Sequence, residues 1–312
     1  MHIQDALNKA LDAATREGRL LCLVVDTAQA ENSHQKLDGW HIPYASLFEG
    51  TPESSLVEVA PLLIPVNELD PDVVARLFAW VEQLAYSAPC LSWFETDATL
   101  SAIADHLRHF HVVGLSDEQA MLMRWYDTRI MPVWFTCLTE RQIEVFTAHS
   151  QNWHYVDRFG GVAALTVASH DVGFAPAPHF GQPLFSLTDE QYGLLVDAAE
   201  LDVLLAHLRR VIPDETGLVE NRQLTLFVAR HQQAAIAAGV NDLDRQTQYV
   251  LLALYTSGEG LLHPAFKAFI AHPPKDLEGF HQRMQELPDE VWNAGQPLWG
   301  AQDEILTESE DT

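Results

Sequence analysis

Positive charge is what this sequence has least of: 18 Lys and Arg stand against 44 Asp and Glu, a formal net charge of −26. The deficit runs through both halves, −12 over residues 1–170 and −14 over residues 171–312. Phosphate backbones and anionic membrane surfaces want basic patches, so neither nucleic acid nor membrane is expected as a partner. Cysteine is scarce as well. Cys22, Cys90 and Cys137 lie far apart, each in an apolar run, which excludes a disulfide framework and reads as buried thiols in a reducing compartment. No stretch reaches the roughly 18 apolar residues of a membrane span. The first residues lack the basic-then-apolar order of a signal peptide, so the expected location is cytoplasmic. Enzyme signatures are missing too: there is no Gly-x-Ser-x-Gly elbow, phosphate-binding glycine loop, dinucleotide fingerprint or His-Glu-x-x-His. No catalytic residue, cofactor or metal site is assigned, and the chain is not expected to be an enzyme.

What is present is the composition of an ordinary folded protein, 47% apolar and 20% charged over 312 residues, long enough for two cores. Residues 3–17 predict an amphipathic helix stopped by Gly18. The unbroken apolar run 20–25 closes on Asp26 and reads as a buried strand. From 28 to 55 the sequence is polar and punctuated by Gly and Pro, and only residues 44–48 suit a core. A strand is expected within 57–66, where Pro61 and Pro65 favour a sheet edge. Asp70-Pro71-Asp72 opens a helix carrying Val74, Leu77, Phe78 and Val81 at helical spacing. A buried strand follows at 89–94, then a helix capped by Thr96 or Asp97 with Ile103 and Leu107 on one face. Strands at 110–113 and 121–126, helices from Pro132 and after Thr139, and strands at 153–156 and 162–168 complete the pattern. It predicts an α+β (mixed α/β) domain over residues 1–168, a small sheet core flanked by helices.

Residues 169–187 are rich in Pro and Gly and read as a linker. Beyond them the periodicity is only helical. Thr188 and Gln191 form a capping box, with Leu187 and Tyr192 as its hydrophobic staple. Leu194, Ala198, Leu201, Leu205, Leu208 and Ile212 then predict one packed helix face. A second helix aligns Leu224, Phe227, Val228, His231 and Ala235 and ends at Gly239. A third, 242–257, is apolar nearly all round and should be central. Shorter helices near 265–271 and 276–287 complete an all-α lobe over residues 188–300, followed by an acidic tail, 301–312.

Residues 121–129 organise the first domain. Met121, Met123 and Trp125 alternate with Leu122, Arg124 and Tyr126, which predicts a strand covered on both faces with Arg124 inside. A buried guanidinium needs a carboxylate. Asp127, at the expected strand-to-helix corner, is placed to cap free N–H groups, and Arg129 stands beside it. The corner reads as an internal ion-pair brace of Asp26, Arg124, Asp127 and Arg129. The competing reading is a catalytic pair of carboxylates, Asp26 and Asp127. His106, His109 and His111 are the densest histidine group, but they divide between a helix and a strand with no cysteine beside them. They read as solvated histidines at a helix end rather than metal ligands.

The segments Leu23-Val24-Val25-Asp26-Thr27-Ala28, Phe94-Glu95-Thr96 and above all Arg124-Trp125-Tyr126-Asp127-Thr128-Arg129 resemble the adaptor (chaperone) domain encoded beside spike proteins of type VI secretion systems. In that family the last motif usually has proline where this chain has Thr128. The helix begun by Thr139-Glu140-Arg141-Gln142 fits, and residues 239–262 are similar to the second lobe that many members carry. The resemblance marks Asp26, Arg124, Tyr126, Asp127 and Arg129 as the structural motif. It implies a non-catalytic protein that binds the N-terminal segment of a cognate toxin effector and helps load it onto the VgrG spike protein. A client segment would lie in a groove between the lobes, with basic residues flanking it paired to the negative surface. Phe227, Tyr249 and Tyr255 are the candidate partner contacts. The alternatives are a hydrolase using Asp26 and Asp127, or an acidic immunity or regulatory protein.

Overall fold

The computed structural model describes residues 2–167 and 180–300. Of the expected linker 169–187, the part up to residue 179 lies outside the described residues, as does the acidic tail 301–312. The chain divides into two compact units between Ala199 and Glu200, inside a helix that begins at Asp189.

The first unit is built on a six-stranded antiparallel sheet in the order β2-β3-β1-β4-β7-β8. Chain order starts with α1 (Ile3–Glu17), β1 (Leu20–Val25), α2 (Ser33–Gly39), β2 (Ala45–Ser46), β3 (Leu62–Pro65) and α3 (Pro71–Ser87). There follow β4 (Leu91–Thr96), α4 (Leu100–Arg108), β5 (Val112–Gly114), β6 (Ala120–Leu122), α5 (Met131–Cys137), α6 (Glu140–Phe146), β7 (Gln151–Val156) and β8 (Val162–Ala164). The central strand β1 is apolar throughout, and its alternate residues enter two cores. Leu21, Leu23 and Val25 join Ile3 and Leu7 of α1 and Leu77 and Val81 of α3 on one face. Cys22 and Val24 join Ile103 and Leu107 of α4, Trp134 of α5, Phe146 of α6 and Trp153 of β7 on the other.

Several expectations are corrected. β3 is second from the edge rather than at it, because the two-residue β2 pairs beyond it. Residues 33–39, in the polar stretch where only 44–48 were expected to suit a core, form α2, with Leu37 fully buried. Thr99, not Thr96 or Asp97, caps α4 by accepting from the Ala102 N–H. Residues 184–187 also belong to this unit. The Gly114 N–H donates to Phe185 O at 3.1 Å and the Leu187 N–H to Gly114 O at 2.9 Å, an approach at which any side chain on residue 114 would collide with Ser186.

The second unit, entered at Glu200 within the helix that begins at Asp189, is all helical. α7 (Asp189–Val211) leads to α8 (Pro213–Gly217), α9 (Asn221–Ala237), α10 (Leu243–Thr256), α11 (Glu259–Leu262), α12 (Pro264–Ile270), α13 (Leu277–Gln285) and α14 (Asp289–Trp292). The capping box at Thr188 and Gln191 is present in both directions. The α7 face holds as expected at Leu205, Leu208 and Ile212, which are buried with Leu204, but not at its start, where Leu194 is 46% exposed and Leu195 is buried instead. Leu195 packs in the first unit and Leu204 onward in the second, so one periodic stripe does not describe the whole helix. α10 is central as expected, burying Tyr249, Val250, Leu252, Ala253 and Leu254.

Candidate functional site at the Arg124–Arg129 corner

The strand expected over 121–126 stops at Leu122. Met123 donates its N–H to His111 O, and the chain then turns. Asp127 N–H donates to Arg124 O at 3.0 Å, while Ile130 and Met131 N–H both donate to Asp127 O at 2.9 Å and start α5. The turn lets adjacent residues point inward, so Met123, Trp125 and Tyr126 are all buried and strand alternation is lost. Arg124 is correspondingly not interior: its side chain is 36% exposed.

The charged groups come together nonetheless. Asp26, at the end of β1, is wholly buried. Its backbone N–H donates to Cys90 O at 2.9 Å, and its Oδ1 accepts from the Ala28 N–H at 3.1 Å. Arg124 Nη2 donates to Asp26 Oδ2 at 2.7 Å and lies 3.6 Å from Asp127 Oδ2. Arg129 grips Asp127 in a two-pronged pair, Nε to Oδ1 at 2.9 Å and Nη2 to Oδ2 at 2.6 Å. The Asp127 carboxylate also accepts the Arg129 N–H at 3.1 Å, a turn-closing bond rather than the helix cap expected of it. Tyr126 lies beneath, its ring centre 5.9 Å from the Arg124 guanidinium carbon.

Electrostatics separates the two carboxylates. Burial pushes Asp26 up to about 6, against the pull of Arg124 and with a further push from Asp127. Burial raises Asp127 as well, but the hydrogen bonds and charge of Arg129 outweigh it and hold the group below its ordinary value. Burial raises the Tyr126 phenol, reinforced by Asp26. Each carboxylate thus faces a guanidinium, and Asp26 has no surface from which to reach a substrate.

The histidines are placed otherwise than expected. His106, His109 and His111 are buried, not solvated. His106 Nε2 lies 3.0 Å from Phe146 O, and the His111 ring stacks on Trp125 at 5.9 Å. Burial pushes His106 down to about 4 and His111 to about 3, so both are neutral rings of the aromatic core. Among the described residues no group of three His, Cys, Asp or Glu could hold a metal ion. Cys22 and Cys90 are buried, their thiols raised to about 12 by burial, and Cys137 is half-buried.

In the helical unit Tyr249 is closed into the core against Phe266. Tyr255 is half-buried on Trp299. Phe227 is half-buried and lines a surface depression. Two arginines that sequence reasoning passed over are structural anchors. Arg108 is buried and binds Asp105, Glu49 and Ser46 O; only the three-residue spacing from Asp105 on a helix hinted at it. Arg158 Nη2 donates to Arg129 O at 3.1 Å and to Ala198 O at 3.4 Å.

Residues 21–144 match the model of a domain of unknown function, DUF4123. A search of curated proteins and a search of solved structures each found no match. Asp26, Arg124, Tyr126, Asp127 and Arg129 all fall within the matched stretch. Among the described residues no helix is long and apolar enough to cross a membrane.

Proposed function

We propose that the chain is a non-catalytic cytoplasmic adaptor that binds the N-terminal segment of a type VI secretion toxin effector and helps load it onto the VgrG spike. The observation that carries this reading is the corner. The residues on which the resemblance rests, from opposite ends of the matched stretch, meet in one brace, Asp26–Arg124–Asp127–Arg129. The same brace weakens the hydrolase reading, because each carboxylate it would employ is buried and paired to a guanidinium. An adaptor needs instead a stable scaffold and exposed surface for a client, and the helical unit leaves Leu218, Leu226 and Leu262 exposed.

Co-expression of the full chain with a candidate type VI secretion toxin effector tests the proposal. The expected result is a co-purifying complex lost when the toxin's N-terminal segment is deleted. Failure to retain the toxin, together with turnover of a small substrate, would transfer the reading to an enzyme.

A further inference from the structure

Arg222, Leu226 and Arg230 follow at four-residue intervals along α9 and so line one stripe of its surface. All three are exposed, Leu226 to 46%. With Gln223, Phe227 and Leu298 they line an open depression of about 380 Å³. In a chain of net charge −26 the local sign is reversed here. Neither Arg222 nor Arg230 has an ion-pair partner among the described residues. The one acid on the rim, Glu220, is already engaged: its carboxylate oxygens cap α9 by accepting the N–H groups of Arg222 at 3.0 Å and Gln223 at 2.9 Å. Phe227 is held in place by its ring contact with His231 at 4.3 Å, which leaves an apolar floor between two free cations.

We infer that this depression docks an acidic amphipathic helix of a partner protein, with carboxylates on Arg222 and Arg230 and an apolar side chain on Leu226 and Phe227. The spacing defines the partner. Eight residues at 1.5 Å rise put the two arginines about 12 Å apart along α9. A helix lying along that stripe matches them with acids eight residues apart and an apolar residue midway. The chain's own acidic segment does not meet this pattern, since Thr307 stands midway between Asp303 and Asp311. The sign is the opposite of what net charge alone suggests for a client, whose basic residues would meet the general acidic surface. The inference rests on the partner-holding reading above and names the chemistry of one contact.

The test uses the full-length protein and two synthetic alanine-based helical peptides. One carries Glu, Leu and Glu at four-residue intervals; its twin carries Lys in place of each Glu. Binding is read by fluorescence polarisation at about 0.15 M salt, where a Debye length of about 8 Å screens the distant acids but not direct contacts. The acidic peptide binds about tenfold more tightly than its twin, the scale of two exposed ion pairs. The order reverses in the Arg222→Glu/Arg230→Glu variant, and Leu226→Ala weakens binding of the acidic peptide. These side chains are exposed, so unchanged circular dichroism is expected and confirms that each variant is folded. Equal binding of the twins, no binding of either, or the original order surviving in the double variant overturns the proposal. Displacement of the probe by a peptide of residues 301–312 at lower concentration than the unlabelled probe also overturns it, making the occupant the chain's own segment. The assay needs no toxin: its failure removes this surface and leaves the adaptor reading standing, whereas failed co-purification does the reverse.

Discussion

Replacing Arg124 with alanine separates a buried brace from a surface ion pair, because the cost must depend on pH. Removing one partner of a fully buried pair typically costs about 3–5 kcal/mol. Arg124 is 36% exposed, so solvent already screens part of its attraction. Asp26 also has an escape, since it can take up a proton. With its carboxyl at about 6, protonation costs about 1.4 kcal/mol at pH 7 and about 2.7 kcal/mol at pH 8, and nothing at pH 5. The sign in the wild-type protein follows from the same group. The unfolded chain releases this proton near 3.8 and the folded chain near 6, so stability falls as pH rises between those values and is level above them. Without Arg124 the folded carboxyl is pushed higher still, and the fall continues to higher pH. Arg124→Ala should therefore cost about 2–4 kcal/mol at pH 8 and about 1 kcal/mol at pH 5, where only packing of the side-chain stem is lost. Urea unfolding of both proteins at the two pH values measures this. Adding Asp26→Asn to the variant should recover most of the pH 8 loss, as a coupled pair requires. An equal cost at both pH values, or wild-type stability throughout, would refute the pairing.

Acidification should lower the thermal midpoint from pH 6.5 downward: buried His106 and His111 titrate at about 4 and 3 when folded, so the unfolded chain binds their protons first and outweighs the opposite effect of Asp26. His111→Phe should flatten that slope by about one proton, and a midpoint that rises toward pH 4.5 would contradict the burial of both rings. Leu195→Ala should destabilise the first unit by about 2–4 kcal/mol although it lies beyond the matched residues 21–144, because its side chain packs in that unit's core. A loss under about 0.5 kcal/mol in urea would place Leu195 outside that core. Elemental analysis of the purified protein should find no stoichiometric zinc, and one zinc per chain released by His106→Ala would overturn the assignment of that ring to the aromatic core.

Elements whose local signals agree with their tertiary role were legible in the sequence. β1 is apolar over its whole length and α3 opens on Asp70 and Pro71, and both appear where periodicity and capping put them. The box at Thr188 and Gln191 is likewise complete. The elements that were misread depend on contacts no window contains. α2 follows Asn32 in the left-handed region (φ 61°) and shows one buried apolar residue, Leu37, to a pattern search. Residues 121–126 are apolar on both alternating sets, which a strand and a double-sided turn satisfy equally. The histidines near residue 106 looked solvated because polarity was read without the Phe110, Phe146 and Trp125 rings that enclose them. Within the corner, charge complementarity sufficed to associate Asp26 with Arg124 across 98 residues, but not to show that the arginine is partly exposed.

Stability alone does not account for the brace. Burial leaves Asp26 titrating near 6 even with Arg124 in contact, so the ion pair offsets only part of the desolvation. Apolar replacements of buried pairs are often no less stable. Apolar side chains, however, do not define direction. Here Arg124 meets Asp26 at 2.7 Å and Asp127 at 3.6 Å, Arg129 clasps the other side of Asp127, and the Arg129 carbonyl receives Arg158. The series joins the end of β1 to the turn before α5 and to the turn before β8. It holds residues 123–130 on the path that sends both Trp125 and Tyr126 into the core. Hydrogen-bond geometry tolerates far fewer residue types than a hydrophobic contact of the same area. A short charged motif can therefore specify the course of the chain at this corner, which the apolar side chains around it would leave open.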